Sequence, residues 1–523
     1  MKKILINTCV FGMLLLIAVG CSDKLEDYYI DPNETTNADI SKLFTNMLYN
    51  DYIRPTYWDY RTFKMEASAK FSLYYGFGVA NRMYQPSAGY MEDRWEGFYS
   101  NGIMNSYRSM EQKYMSLSDE EQINNEVFMQ LGKIILYDQA SELIDYWGDI
   151  PFSEAGSLNL TNSLGMAKFD DAAELYSTFI SNLDEINSYL STLEMSSSTS
   201  GQLNAQDILN GGDIISWRRY ANSLRARLLM RISDYDAAKA QTELTKMFAD
   251  EATYPIVSSN EENILLEVNP ESSNFYSDIT NALQELSFGP YAGDYMLEDV
   301  MVATNDPRTD VFWDAGSGGF VGVPTEATTN EQQNLANDGV LASFDTLTFL
   351  YNWNIPGVIF TSAEMNFIKA EAFEKWGGGS AEEAYTAGIE ESIDFYYSLN
   401  QNASVGTSFP SFAREPMEKP EESVVTSYLT NAAIAYTGST EEKMEKIATQ
   451  KWLHYFILQS GQAWSEIRRT GYPELNLPVD PTTGELPPSR LLYPATERSN
   501  NGANYAAVAS KDTRGTKIFW DVD

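Results

Sequence analysis

The sequence is poor in the residues on which most catalytic and cross-linking chemistry depends. It holds two cysteines, Cys9 and Cys21, and a single histidine, His454, in 523 residues. Both cysteines sit at the extreme N-terminus, so no disulfide framework can staple the rest of the chain. A chain this long does not need one, because it can bury a large core. A histidine-based zinc site or a Cys–His nucleophile pair cannot be assembled from this inventory. A Ser–His–Asp triad would have to use His454, which lies between Leu453 and Tyr455 in a helical stretch. There a packed structural histidine is the ordinary reading, and no nucleophile-elbow pattern accompanies it. No glycine-rich phosphate loop with its lysine is present. Positive charge is scarce too: 36 Lys and Arg face 74 Asp and Glu, for a formal net charge of −38. Such a surface repels phosphate backbones, so nucleic acid is not an expected partner. With 74 acids, a carboxylate pair close enough for glycoside hydrolysis arises by chance and carries no weight. The expectation is a non-enzymatic protein with no cofactor and no resident metal.

Long apolar runs are missing as well, apart from one short stretch at the start. Lys2 and Lys3 precede an apolar run from Val10 to Val19, and Ala18 and Gly20 lead into Cys21. This three-part layout is that of a secretory signal, residues 1–20, and its apolar run is too short to span a bilayer. A cysteine at the cleavage point suits lipoprotein processing, although Ala18 stands where the lipobox pattern prefers Leu. Acyl chains on Cys21, at about 0.8 kcal/mol per buried CH₂, would hold the chain on a membrane. Ser22-Asp23-Lys24-Leu25-Glu26-Asp27 then resembles the acidic tag that sends some bacterial lipoproteins to the outer face of the cell. The expected address is the outer membrane, facing the exterior.

What the chain has in quantity is amphipathic helix. Ile40, Leu43, Phe44, Met47 and Leu48 form one apolar stripe, and Ile123, Val127, Leu131, Ile134 and Ile135 another. Leu175, Phe179, Leu183, Ile186 and Leu190 continue the theme, and the serine-rich Ser196–Ser200 reads as a separator before Trp217, Tyr220, Leu224 and Leu228. Capping-box pairs open helices at Ser118/Glu121, Thr361/Glu364, Ser380/Glu383 and Ser439/Glu442. The helices come in pairs, such as Ser362–Trp376 with Glu382–Leu399, which predicts a mostly α fold of tetratricopeptide-like pairs stacked as a solenoid. Between about residues 261 and 360 glycine and proline break the helical period, although Phe312, Trp313, Phe320, Phe344 and Trp353 bring apolar area to pack. The tail beyond Pro473 is irregular too.

Aromatics are the other abundance, with 33 Tyr and 10 Trp. A flat ring offers the apolar face of a sugar a large contact while a tyrosine hydroxyl stays free to hydrogen-bond. The densest cluster runs from Tyr57-Trp58-Asp59-Tyr60-Arg61 to Trp95. Within it, residues 82–90 read as a loop between helices, and loops carry function disproportionately. Helix-borne Trp58, Trp95 and Tyr99 lean towards core filling; loop-borne Tyr84, Tyr90 and Trp313 are evenly balanced between core and ligand. The candidate ligand set is Arg82, Tyr84, Gln85, Tyr90, Trp95, Phe312, Trp313 and Trp353.

Several stretches together resemble the SusD/RagB family of nutrient-binding outer-membrane lipoproteins, in its SusD-like branch. They are residues 146–155 (Tyr146-Trp147-Gly148-Asp149-Ile150-Pro151 onward), Trp217–Arg227, Asp306-Pro307-Arg308 and Glu364–Ala372. Gln450-Lys451-Trp452, Ala463–Pro473 and Arg490-Leu491-Leu492-Tyr493-Pro494 complete the series. The resemblance implies one ligand-binding domain over residues 21–523, whose hallmark stretches maintain the fold and a transporter contact. It also implies a lid over a SusC-like TonB-dependent transporter that captures an oligosaccharide, or in some members a peptide. Ligand residues vary within the family and none carries over. A lipid-anchored glycoside hydrolase is the reading from a different class.

Overall fold

The computed structural model describes residues 39–100, 102–161, 165–271, 275–405 and 415–522. The export signal, Cys21 and the acidic segment behind it lie outside these residues. The chain is mostly helical, and we number its longer helices. Helix α1 (Ile40–Leu48) buries Ile40, Phe44, Met47 and Leu48, the stripe read from the sequence. Next come α2 (Ala88–Tyr99), α3 (Ile103–Met115) and α4 (Asp119–Trp147). They are followed by α5 (Ala172–Ser191), α6 (Ile214–Arg231) and α7 (Ala237–Ala249). The last four are α8 (Ser362–Trp376), α9 (Ala381–Gln401), α10 (Thr440–Tyr455) and α11 (Ser460–Thr470). α3 packs on α4, α5 on α6, α8 on α9 and α10 on α11; α4 meets α5, α6 meets α8, and α8 meets α10. Each pair leaves an apolar face that only the next pair covers, the arrangement expected of a tetratricopeptide-like solenoid.

Local chemistry sets the helix starts. Ser118 and Ser439 make complete capping boxes with Glu121 and Glu442, each worth about 1 kcal/mol. Thr361 and Ser380 accept from the N3 backbone, but their glutamates do not return the bond. Glu364 is drawn instead onto Arg227, whose Nε and Nη2 donate to it at 2.6 and 2.7 Å. The serine-rich separator is a helix itself: Ser196 Oγ accepts from Thr199 N at 3.1 Å and opens Ser197–Gln206. Ile123, read as core, stands 76% exposed on the first turns of α4.

The hallmark stretches meet one another in the interior. Arg308 grips Asp306 through Nε and Nη2 at 2.9 and 2.6 Å and donates to Gln450 at 2.7 Å. Arg469 lies between Glu371 and Glu466, at 2.8 and 2.7 Å, and Lys451 reaches Glu466 at 2.8 Å. Burial raises both carboxyls, but Arg469 and Lys451 more than offset it and hold them below the usual 4.5. A buried charge stripped of its partner costs about 3–5 kcal/mol. These contacts, together with Arg227 of α6 on Glu364 of α8, therefore fix the register of α6, α8, α10 and α11 against one another.

The irregular region between 261 and 360 packs onto this frame. Ile264–Leu266 pairs antiparallel with Gly357–Phe360, and Trp313–Asp314 with Ser343–Phe344. Phe456 follows α10 with φ at 39°, a region that a bulky residue enters only when its surroundings hold it there. Its ring is clamped by Phe312 at 4.5 Å, Trp313 at 5.4 Å, Phe349 at 5.5 Å and Tyr74 at 5.4 Å. The C-terminal tail is strapped to the end of α4. Leu491 N donates to Tyr146 O at 2.8 Å, Trp147 Nε1 to Leu492 O at 2.9 Å, and Tyr493 Oη to Asp149 O at 2.6 Å.

Candidate functional site

Four of the eight expected ligand residues are core. Trp95 is 1% exposed, packed against Trp147 at 5.4 Å with its indole N–H donated to Glu497 at 3.1 Å. Phe312 and Trp313 are fully buried, Phe312 against Phe456 and Trp313 stacked on Phe344 at 5.0 Å. Tyr84 is buried as well, its hydroxyl donating to Pro478 O at 2.7 Å. None of these ring faces is open to a ligand. The reason is shared: each sits where two segments distant in sequence converge, and apolar area at such a junction is covered by protein first.

The loop that carries Tyr84 is nonetheless presented firmly. Thr329 Oγ1 donates to Val79 O at 3.0 Å, Arg514 Nη1 donates to Tyr84 O at 3.0 Å, and Gln85 N closes a turn onto Arg82 O at 2.9 Å. Arg82 holds a left-handed backbone, φ 59°, at the exposed tip. Burial and Asp480 push the Tyr84 hydroxyl well above 10, so it stays a neutral donor. Arg82 and Gln85 are left exposed.

A group of rings that do reach solvent lies around Trp58. Trp58 is 67% exposed, with Tyr57 edge-on at 5.0 Å. The Tyr57 hydroxyl donates to Glu285, and that bond raises its pKa; Arg61 and Tyr90 also act on it electrostatically. Tyr90 lies at the start of α2, which packs on the π-helical turn Asp59–Lys64 that follows Trp58. Beside this group Asp278 N donates to Pro55 O at 2.8 Å, and Ser277 N to Trp353 O at 3.0 Å. Those two bonds tie the segment carrying the pair Tyr276–Trp353, at 4.9 Å, to the backbone that leads into Tyr57 and Trp58. Next to Tyr276 in the chain, Phe275 stacks on Tyr49 at 5.4 Å, with Arg54 3.9 Å over the Tyr49 ring. The outcome is half-covered rings with polar groups (Arg61, Glu285, tyrosine hydroxyls) between them. Such a surface can stack on pyranose faces and hydrogen-bond their hydroxyls.

Of the expected residues, Tyr90 and Trp353 belong to this strip. Trp58, read as core filling, is its most exposed member. Its outward position was legible: buried Tyr60 and Phe63 leave Trp58 and Arg61, three apart, on the outer face of their turn. Tyr49, Phe275 and Tyr276 carried no such signal, because backbone pairing between distant segments places them. His454, the only histidine, is buried between Thr361 Oγ1 at 2.7 Å and Ser392 Oγ at 3.1 Å. Burial, aided by Arg308, lowers its pKa to about 3, so it is a neutral structural group. No helix of the described residues is long and apolar enough to cross a membrane.

Comparison with known proteins agrees with this architecture. No functionally curated protein matches the sequence. Solved structures do. A chitin-binding protein superposes with a TM-score of 0.74 at 22% identity, covering 93% of this chain and 100% of that one. A chitin-binding SusD homolog from Flavobacterium johnsoniae gives 0.71 at 23% identity, covering 92% and 99%. A SusD-like protein from Bacteroidetes gives 0.72 at 19%, covering 93% and 100%. At these identities the likeness establishes the fold. The SusD-like family model described as starch-binding and associating with the outer membrane matches residues 32–494. The chain belongs to that SusD-like family.

Proposed function

We propose that this protein is a surface-exposed, lipid-anchored glycan receptor that captures oligosaccharide and passes it, uncut, to a SusC-like TonB-dependent transporter. The observation that carries the reading is the solvent-facing strip of Trp58, Tyr57, Tyr90, Tyr276 and Trp353, standing 67% exposed at Trp58. Exposed apolar rings that are grouped and rimmed by polar groups mark a binding surface. Family membership supports carbohydrate as the ligand and the outer membrane as the address. Cys21 supplies the anchor, and the acidic segment behind it supports export to the cell exterior. The sole histidine is sequestered in the core, which removes one frequent general base from the surface.

A panel of neutral oligosaccharides, starch- and chitin-derived among them, tests the reading. Binding that depends on Trp58 supports it; binding of peptides with no glycan signal would transfer the same strip to peptide capture. Purification from membranes in mild detergent should bring down a second, barrel-sized protein, and isolation alone would count against the transporter partnership.

A further inference from the structure

At the C-terminal end of α9 lies a cavity of about 470 Å³, none of whose lining residues belongs to the exposed aromatic strip. Its walls are residues 260–267, the turn at Asn354 and Pro356, and the last turns of α9 with Asn402 behind them. In the strand Ile264–Leu266 both end residues are buried, so the alternation of strand side chains turns Leu265 and Glu267 together towards the cavity.

The polar groups on this cavity have spent their donors and kept their acceptors. Asn260 gives its amide N–H to Glu391 O at 2.9 Å, Asn263 to Asn260 Oδ1 at 2.9 Å, and Asn354 to Asn402 O at 3.0 Å. Asn354 Oδ1 and the Glu267 carboxylate have no hydrogen bond or ion pair among the described residues. Partial burial raises the Glu267 carboxyl above its usual 4.5, and no cation or donor offsets it. Glu267 and Asn402 are exposed, so a ligand in the cavity reaches both. Glu261, also exposed, is held below 4.5 by the Ser259 hydroxyl and stays ionised. No lysine or arginine is among the described lining residues. α9 itself runs for 21 residues with no basic side chain in its last turn. The negative end of its dipole therefore meets the cavity without a cation to balance it.

We propose that this cavity is a subsite for a ligand ammonium, that of an unacetylated amino-sugar unit. The inference rests on the glycan-receptor reading for the identity of the ligand. An ammonium brings three donors and no acceptor, the complement of this lining, whereas a hydroxyl is itself half acceptor. Glu267, Glu261 and the helix end all favour its positive charge. Leu265, Pro356 and Phe395 supply apolar wall for the ring, and the volume falls in the range of small-ligand sites. A half-desolvated carboxylate in a concave wall is screened less than one on the open surface, so the selectivity is local.

Titration calorimetry near pH 6 with the trimers of glucosamine and of N-acetylglucosamine tests this on the full folded chain. That pH lies below the range of an ordinary amine, so the first sugar carries ammonium groups and the second none. Wild type should hold the glucosamine trimer at least about tenfold tighter, and raised salt should weaken that preference. Glu267→Gln removes one charge from an exposed side chain and should abolish the preference. Asn402→Lys, which sets the protein's own ammonium at the helix end, should do the same. No preference in wild type overturns the proposal. So does a preference surviving in folded E267Q, because the acidic surface at large would then supply it. W58A separates the two readings: loss of N-acetylglucosamine binding there, with the amine preference intact, supports both. Binding of that sugar indifferent to W58A, alongside a preference that depends on Glu267, refutes the strip and keeps this subsite. A lysine peptide bound through Glu267 with neither sugar bound overturns the amino-sugar assignment together with the glycan reading.

Discussion

Replacing Trp58 with alanine isolates the contribution of the exposed strip. A tryptophan side chain presents up to about 250 Å², and Trp58 leaves 67% of its surface in water. Roughly 160 Å² is therefore open, of which a sugar laid on one face covers about half. At about 25 cal/mol per Å², covering ~80 Å² is worth about 2 kcal/mol, or some 30-fold in Kd. Ordering the ligand offsets part of this, so the expected loss in W58A is about 10- to 30-fold. Fold stability should change by less than about 0.5 kcal/mol, because an exposed ring is removed. Isothermal titration with the best-binding oligosaccharide and a thermal melt give both numbers. An unchanged Kd in a variant that melts normally would refute the stacking argument.

Three further outcomes follow from the interior. Trp313→Ala, in the buried aromatic cluster, should cost about 3–5 kcal/mol in denaturant unfolding, while glycan affinity of the folded fraction stays within about twofold; a direct affinity loss would place Trp313 in the site after all. The single histidine makes a clean NMR probe: with a folded pKa of about 3, its ring signals should not move between pH 5 and 8, and a midpoint near 6.5 would contradict its burial. Because the unfolded chain takes up that proton first, His454 lowers stability as pH falls below 6.5, by about 2 kcal/mol at pH 5. Glu371 and Glu466 are depressed, so their contribution is present above about 4.5 and is lost as pH falls through their folded values. Thermal melts should therefore drop steeply below pH 4.5, and E371Q, which leaves Arg469 and Lys451 short of a buried partner, should melt lower than wild type at neutral pH; equal melting there would refute the ion-network account.

The helical frame was legible because its signals are local. Stripes such as Ile40, Phe44, Met47 and Leu48, and N-caps at Ser118 and Ser439, act within a few residues of one another and need no tertiary partner. Thr361 shows the limit: its box pattern was in the sequence, but Glu364 found a stronger partner in Arg227, 137 residues away. The exposed aromatic strip was the least legible part. Ring-bearing loops around Phe312 and Trp313 looked open because their covering partners, Phe344 and Phe456, are distant in sequence. Trp58 was misread for the converse reason, since aromatic residues near a helix usually point inward, and only the period set by Tyr60 and Phe63 shows otherwise.

The most direct test of the central claim is to follow one bound oligosaccharide through binding and recovery. Wild-type protein is titrated with a neutral glycan, and the sugar is then analysed by mass spectrometry after prolonged incubation. Saturable binding that quenches tryptophan fluorescence, with the sugar recovered at its original length, is the expected result. Shortened products, or no saturable signal from any glycan in the panel, would contradict it.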